Sequence, residues 1–149
     1  MVQFFADLCS NEPLKCAVLS WCVAQAIKVL ISLWLDKKLD WRRCFGMGGM
    51  PSSHTAFVFS LALMIALRDG VASSQFALAF ALAAVVIYDA MGVRAETGRQ
   101  SEVINKIVQE VLVEGKPITE KQLKELVGHT PLEVAAGVLV GVVVTLIIA

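Results

Sequence analysis

The chain has 149 residues, 57% of them hydrophobic and 17% charged, with 13 basic and 13 acidic residues and no net charge. A mean hydropathy of +0.71 is too high for a soluble domain of this length and indicates a polytopic membrane protein. The balanced charge argues against nucleic acid as a partner. The four cysteines form no Cys-x-x-Cys pair and have no histidine at ligand spacing, which argues against a disulfide framework or a metal site.

The opening residues 1–8 suggest a short surface helix, and residues 1–12 carry Asp7 and Glu12 but no basic run, so they do not read as a cleaved signal peptide. Residues 14–35 are long enough to cross a bilayer, which takes about 20 residues. Lys28 lies in the middle of that span, either as a functional intramembrane charge or with its stem snorkelling toward one end. A basic loop follows with Lys37, Lys38, Arg42 and Arg43, a topology signal or headgroup contact from which Lys38 and Arg43 are candidates to reach a phosphate. Residues 46–51 hold three glycines and a proline and cannot form a stable helix. No formal charge occurs over residues 44–67 with His54 neutral, so this loop is expected to dip to membrane depth before a second span at 53–67. Irregular backbone at that depth needs protein or a wet cavity around it.

A third span is expected at 71–88, closed by Asp89. Residues 94–128 form the one soluble stretch. Val103, Ile104, Ile107, Val108, Val111 and Leu112 recur there at helical spacing, as in an amphipathic surface helix. Gly115 and Pro117 break it, and Thr119 with Gln122 reads as a capping box for a second short helix ending at Gly128. The fourth span is 131–149. Its Gly137 and Gly141 form a small-x3-small pattern, expected to pack helices within the bundle, and the oligomeric state, a homo-oligomer included, stays open. The expected fold is an all-α membrane bundle of about four spans with a surface helical hairpin, one domain over residues 1–149.

Four spans put the loops after the first and third on one face. That face carries ten of the thirteen basic residues, against Lys15 and Arg68 on the other, so it is expected to be cytoplasmic. The same arrangement brings together the only two histidines. His54 follows Pro51-Ser52-Ser53 at the start of the second span, and His129 precedes Thr130-Pro131-Leu132-Glu133 at the start of the fourth. A helix N-terminus presents unpaired N–H groups and a positive dipole end, where phosphate binds readily. Ser52 or Ser53 can cap the first of these helices. Two imidazoles at such a mouth can attack phosphorus and protonate a leaving group. Glu133 has two readings: the N3 partner of a Thr130 capping box, or the carboxylate that orients His129 from one turn away. Arg94 and Arg99 flank a Gly-rich turn and offer guanidinium forks to phosphate oxygens, while Asp89 either pairs with Arg94 or steers it.

Pro51-Ser52-Ser53-His54 resembles the Pro-Ser-Gly-His motif of the type 2 phosphatidic acid phosphatases, relatives of the vanadium haloperoxidases. Gly128-His129 followed by Glu133 resembles the His-x3-Asp that closes their third motif. Together with residues 48–54, Asp89-Ala90-Met91-Gly92-Val93-Arg94 and residues 128–134 are similar to the small divergent branch of that family, described as acid phosphatase/haloperoxidase-related membrane proteins. The resemblance implies a nucleophilic His129 that forms a phosphohistidine, an acidic partner in Glu133, and His54 as the acid. It also implies that Ser52 or Ser53 and nearby N–H groups hold phosphate oxygens, without a metal or cofactor, and that vanadate acts as a phosphate mimic. The expected substrate is a lipid or isoprenoid phosphate or diphosphate. The chain departs from the larger family in lacking Lys-x6-Arg-Pro and in having no Ser-Arg before His129, so Arg94 and Arg99 are expected to take the place of that arginine. Two readings of another class remain: a non-catalytic membrane protein that binds an anionic phosphate headgroup, and a small transporter or assembly subunit using Lys28 and Asp89.

Overall fold

The computed structural model describes residues 1–36, 49–92, 100, 101, 104 and 130–149. Among these residues the fold is all-helical, with five helices: α1 (Val2–Ser10), α2 (Glu12–Asp36), α3 (Ser53–Asp69), α4 (Ser74–Met91) and α5 (Pro131–Ile148). The amphipathic hairpin expected within 94–128 lies outside the described residues, apart from Gln100, Ser101 and Ile104, which are helical.

α2, α4 and α5 are each long and apolar enough to cross a membrane. α3 has 17 residues and, at 1.5 Å per residue, is about 26 Å long, short of a hydrocarbon core of roughly 30 Å. It is nonetheless the central helix, packed against α2, α4 and α5. α4, the helix of the expected third span, begins at Ser74, three residues later than the pattern suggested. Gly70, at φ 82°, ends α3, and the Ser73 hydroxyl accepts from the Phe76 N–H at 3.1 Å to start α4. Residues 71–73 are therefore a turn, apolar in composition but unavailable to the helix.

The chain runs antiparallel from α2 to α3 to α4. Arg68 at the end of α3 bonds Glu12 at the start of α2, at 3.1 Å. α5 runs parallel to α3: Ser52 at the α3 start meets Glu133 at the α5 start, and Met64 and Val144 pack together near their other ends. The C-terminal ends of α2 and α4 and the N-terminal ends of α3 and α5 thus share one end of the bundle. These are the helix ends that flank residues 37–48 and 93–129.

The interior is built from small residues. Ala17, Ser20, Ala24 and Ser32 line the buried face of α2, and Ala56, Ser60 and Ala62 that of α3. Gly137 and Gly141 let α5 approach α3 closely, which identifies the partner of the small-x3-small pattern as a helix of the same bundle. A Cβ at 141 would lie 3.1 Å from the Ala56 carbonyl oxygen, and one at 137 would overlap the Ser52 carbonyl oxygen. Without a hydrophobic drive between helices in lipid, such close backbone approach supplies the packing attraction. Large apolar side chains such as Leu78, Phe80, Val85, Leu139 and Leu146 point outward, as expected where lipid is the solvent.

Candidate functional site

The site is assembled where α3 begins. Gly49 adopts φ 92°, the Met50–Pro51 peptide is cis, and Pro51, Ser52 and Ser53 are all buried. Gly49 and Met50 just before them are exposed, so among the described residues protein covers the chain from Pro51 onward. The Ser52 N–H donates to the Glu133 carbonyl oxygen at 2.9 Å, which satisfies a backbone donor that hydrocarbon could not.

Ser52, not Ser53, caps α3. Its hydroxyl accepts from the Thr55 N–H at 3.4 Å and from the Thr55 hydroxyl at 2.9 Å. Thr55 is fully buried and was not singled out from the sequence; its position three residues after a capping serine is the signal that marks it. The cap leaves the Ser53 N–H, at the first position of α3, outside the Ser52–Thr55 pair.

The Ser53 hydroxyl faces α2, where it accepts a hydrogen bond from the Lys28 ammonium at 3.4 Å. Lys28 is only 5% exposed, and Ser53 2%. The ammonium does not snorkel to an end; it turns inward to the first turn of α3. By helical rise, α2 continues about 12 Å beyond it, over residues 29–36. The arrangement places a cation, a hydroxyl and the positive end of a helix at one point within the bundle.

His54 is exposed and Asp89 half-buried, on the first turn of α3 and the last turn of α4 at the same end of the bundle. On α5 the capping box is complete: the Thr130 hydroxyl accepts from the Glu133 N–H at 3.3 Å, and the Glu133 carboxylate accepts from the Thr130 N–H at 3.0 Å. Its second expected role, toward His129, concerns a residue outside the described ones, as do the expected roles of Lys38, Arg43, Arg94 and Arg99. Of the residues singled out from the sequence, the structure brings Lys28, Ser52, Ser53 and Glu133 together.

Of the cysteines, Cys16 is buried, its sulfur 3.4 Å from the Thr145 hydroxyl, while Cys9 and Cys22 are exposed; all three are free thiols.

Among the described residues, an all-helical bundle with apolar outer faces and a polar turn buried at one end defines a multi-pass membrane protein. The family model described as the Divergent PAP2 family matches residues 9–144, and the chain belongs to that family. The chain is 40% identical over 153 residues to the uncharacterized membrane protein YuiD of Bacillus subtilis (strain 168), covering 96% of this chain and 97% of the relative. No solved structure matches it.

Proposed function

We propose that this protein is a membrane phosphatase that hydrolyses a lipid or isoprenoid phosphate or diphosphate. The observation that carries the reading is the buried Lys28 ammonium on the Ser53 hydroxyl at the N-terminus of α3. Intramembrane cations are costly and are kept where they act on something. Here the cation supplies charge that the missing Lys-x6-Arg-Pro motif would otherwise provide. A phosphate at this mouth meets Lys28, the Ser53 hydroxyl and the first-turn N–H of α3.

In this reading a ring nitrogen of His129 attacks phosphorus and the bond from phosphorus to the leaving oxygen breaks. His54 gives its proton to that oxygen, and a phosphohistidine remains. Water then attacks the phosphohistidine while His54 takes its proton, which releases phosphate and restores both imidazoles. Glu133 orients His129, and Arg94 and Arg99, with Lys38 and Arg43 as further candidates, complete the grip on the phosphate oxygens. No step requires a metal.

The test is phosphate release by purified protein in detergent with EDTA, across lipid phosphates and isoprenyl diphosphates, with His129→Ala as control. Release that vanishes in the variant is the expected result. One arrangement favours a second reading, a non-catalytic binder of phosphate headgroups. The Ser52 hydroxyl is engaged by Thr55 and the Glu133 carboxylate by Thr130, so both have structural work independent of catalysis. Absence of release from every substrate, with vanadate binding retained, selects that reading.

A further inference from the structure

A buried cation within a membrane bundle needs a counter-charge. Among the described residues its hydrogen-bond partner is one neutral hydroxyl at 3.4 Å, which does not by itself satisfy an ammonium with three donors, and an uncompensated charge in a low-dielectric interior costs several kcal/mol. Among the described residues, three acidic positions fall on the helix turns at this end: Asp36, Asp89 and Glu133. Asp36 sits two turns farther along α2, about 12 Å away by helical rise. Asp89 belongs to α4, which packs against α3 and α5 but makes no contact with α2 among the described residues. α5, in contrast, packs against both α2 and α3. The bond from Ser52 to the Glu133 carbonyl oxygen fixes the first turn of α5 beside the residue next to Ser53.

We propose that Glu133 is the internal counter-ion of Lys28: its carboxylate balances the buried ammonium until a phosphate-like anion arrives and takes over that role. The pairing stands on the helix geometry alone; its displacement by an anion rests on reading this mouth as a phosphate site. The role is distinct from orienting His129, because it ties Glu133 to α2 and makes it a competitor of the incoming anion.

A double-substitution cycle in the full-length protein in detergent tests the pairing. Glu133→Gln suits it because glutamine at this position preserves the capping box and removes only the charge. Lys28→Met keeps an unbranched stem. The melting temperature of Glu133→Gln is expected to fall by roughly 5–10 °C, since the ammonium is left uncompensated. Lys28→Met leaves a half-buried carboxylate at the mouth and is expected to lose less. The combined variant is expected to melt within about 3 °C of Lys28→Met alone. Additive losses overturn the pairing, as does rescue by Lys28→Met of Asp89→Asn in place of Glu133→Gln. Should Glu133→Gln fail to accumulate, recovery of folded protein on adding Lys28→Met is the supporting result. Failure of the double variant where Lys28→Met alone folds overturns the pairing.

Orthovanadate tests the displacement. It is expected to raise the melting temperature of Glu133→Gln more than that of the parent, and that of Lys28→Met least. An equal rise in the parent and Glu133→Gln overturns the displacement. A coupled cycle with no vanadate effect in any variant leaves the pairing standing and removes the phosphate site.

Discussion

The backbone N–H of Ser52 donates to the carbonyl oxygen of Glu133 at 2.9 Å, so the starts of α3 and α5 are seated on each other by main chain. Gly137 makes this seat accessible, because a Cβ there would overlap the Ser52 carbonyl oxygen and lie 3.0 Å from the Thr55 Cβ. Gly137→Ala is therefore expected to destabilise the protein by about 1–3 kcal/mol through overpacking, less the roughly 1 kcal/mol that alanine gains in a helix. Gly141→Ala meets its nearest atoms at 3.1 and 3.3 Å, and a small shift accommodates it. It is expected to be near neutral. Thermal unfolding of the two variants in detergent checks the contrast, and equal stability of Gly137→Ala and the parent would contradict the close seat.

The ligand role of Lys28 predicts a specific loss. A hydrogen bond from a charged donor contributes about 1.5–3 kcal/mol, which corresponds to roughly 10–100-fold in affinity. Vanadate bound by Lys28→Met should be weakened by that factor, as measured by titration. Disrupting the exposed Glu12–Arg68 pair at the opposite end of the bundle, through Glu12→Gln, should leave vanadate affinity unchanged. That pair is solvent-exposed and belongs to the class that contributes at most about 1 kcal/mol to stability. If both variants lost affinity equally, the effect would be one of general stability and not of contact.

Much of this architecture was legible in the sequence because composition forces it. Apolar runs of membrane length have few alternatives to helices, and the ends of α2 and α5 match the expected spans within two residues. The start of α4 was displaced because the hydropathy of residues 71–73 is the same in a turn as in a helix; only the Ser73 cap decides between them. The expectation of a protein-covered loop before His54 came from glycines and proline in a charge-free stretch; the structure buries Pro51, Ser52 and Ser53, leaves Gly49 and Met50 exposed, and residues 46–48 lie outside the described ones. The meeting of Lys28 with Ser53 was not legible. The two lie on separate helices, and no local spacing rule relates them. For the same reason, the sequence marked Gly137 as a packing residue but not the Ser52 turn as its partner.

The proposed acid role of His54 depends on how much the leaving oxygen needs a proton. An alkyl or isoprenyl alkoxide is strongly basic and leaves poorly without protonation, whereas a nitrophenolate leaves as the anion. His54→Ala should therefore lower release from alkyl phosphates by about 100-fold or more, in the range general acids provide, and from p-nitrophenyl phosphate far less. His129→Ala should abolish both, because it removes the nucleophile. Equal losses on the two substrates in His54→Ala would instead place His54 in binding or in a step common to both.

The native cysteines report which face carries the site. Cys9 is exposed two residues before Asn11, at the end of the bundle where Glu12 meets Arg68. Cys44 falls in the segment joining α2 to α3, whose flanking helix ends lie at the opposite, motif-bearing end. Ten basic residues on the motif-bearing side against Lys15 and Arg68 on the other predict that the motifs face the cytoplasm. In variants keeping only one of these cysteines, a membrane-impermeant maleimide should label Cys9 in intact cells and Cys44 only after permeabilisation. Cys22 lies within a membrane span and should resist the reagent in both conditions. The reverse pattern would put the mouth on the outer face, where a substrate would have to arrive from the opposite leaflet. Labelling of both cysteines in intact cells would place the two ends on the same side, and the antiparallel bundle would then not span the membrane as its helix lengths require.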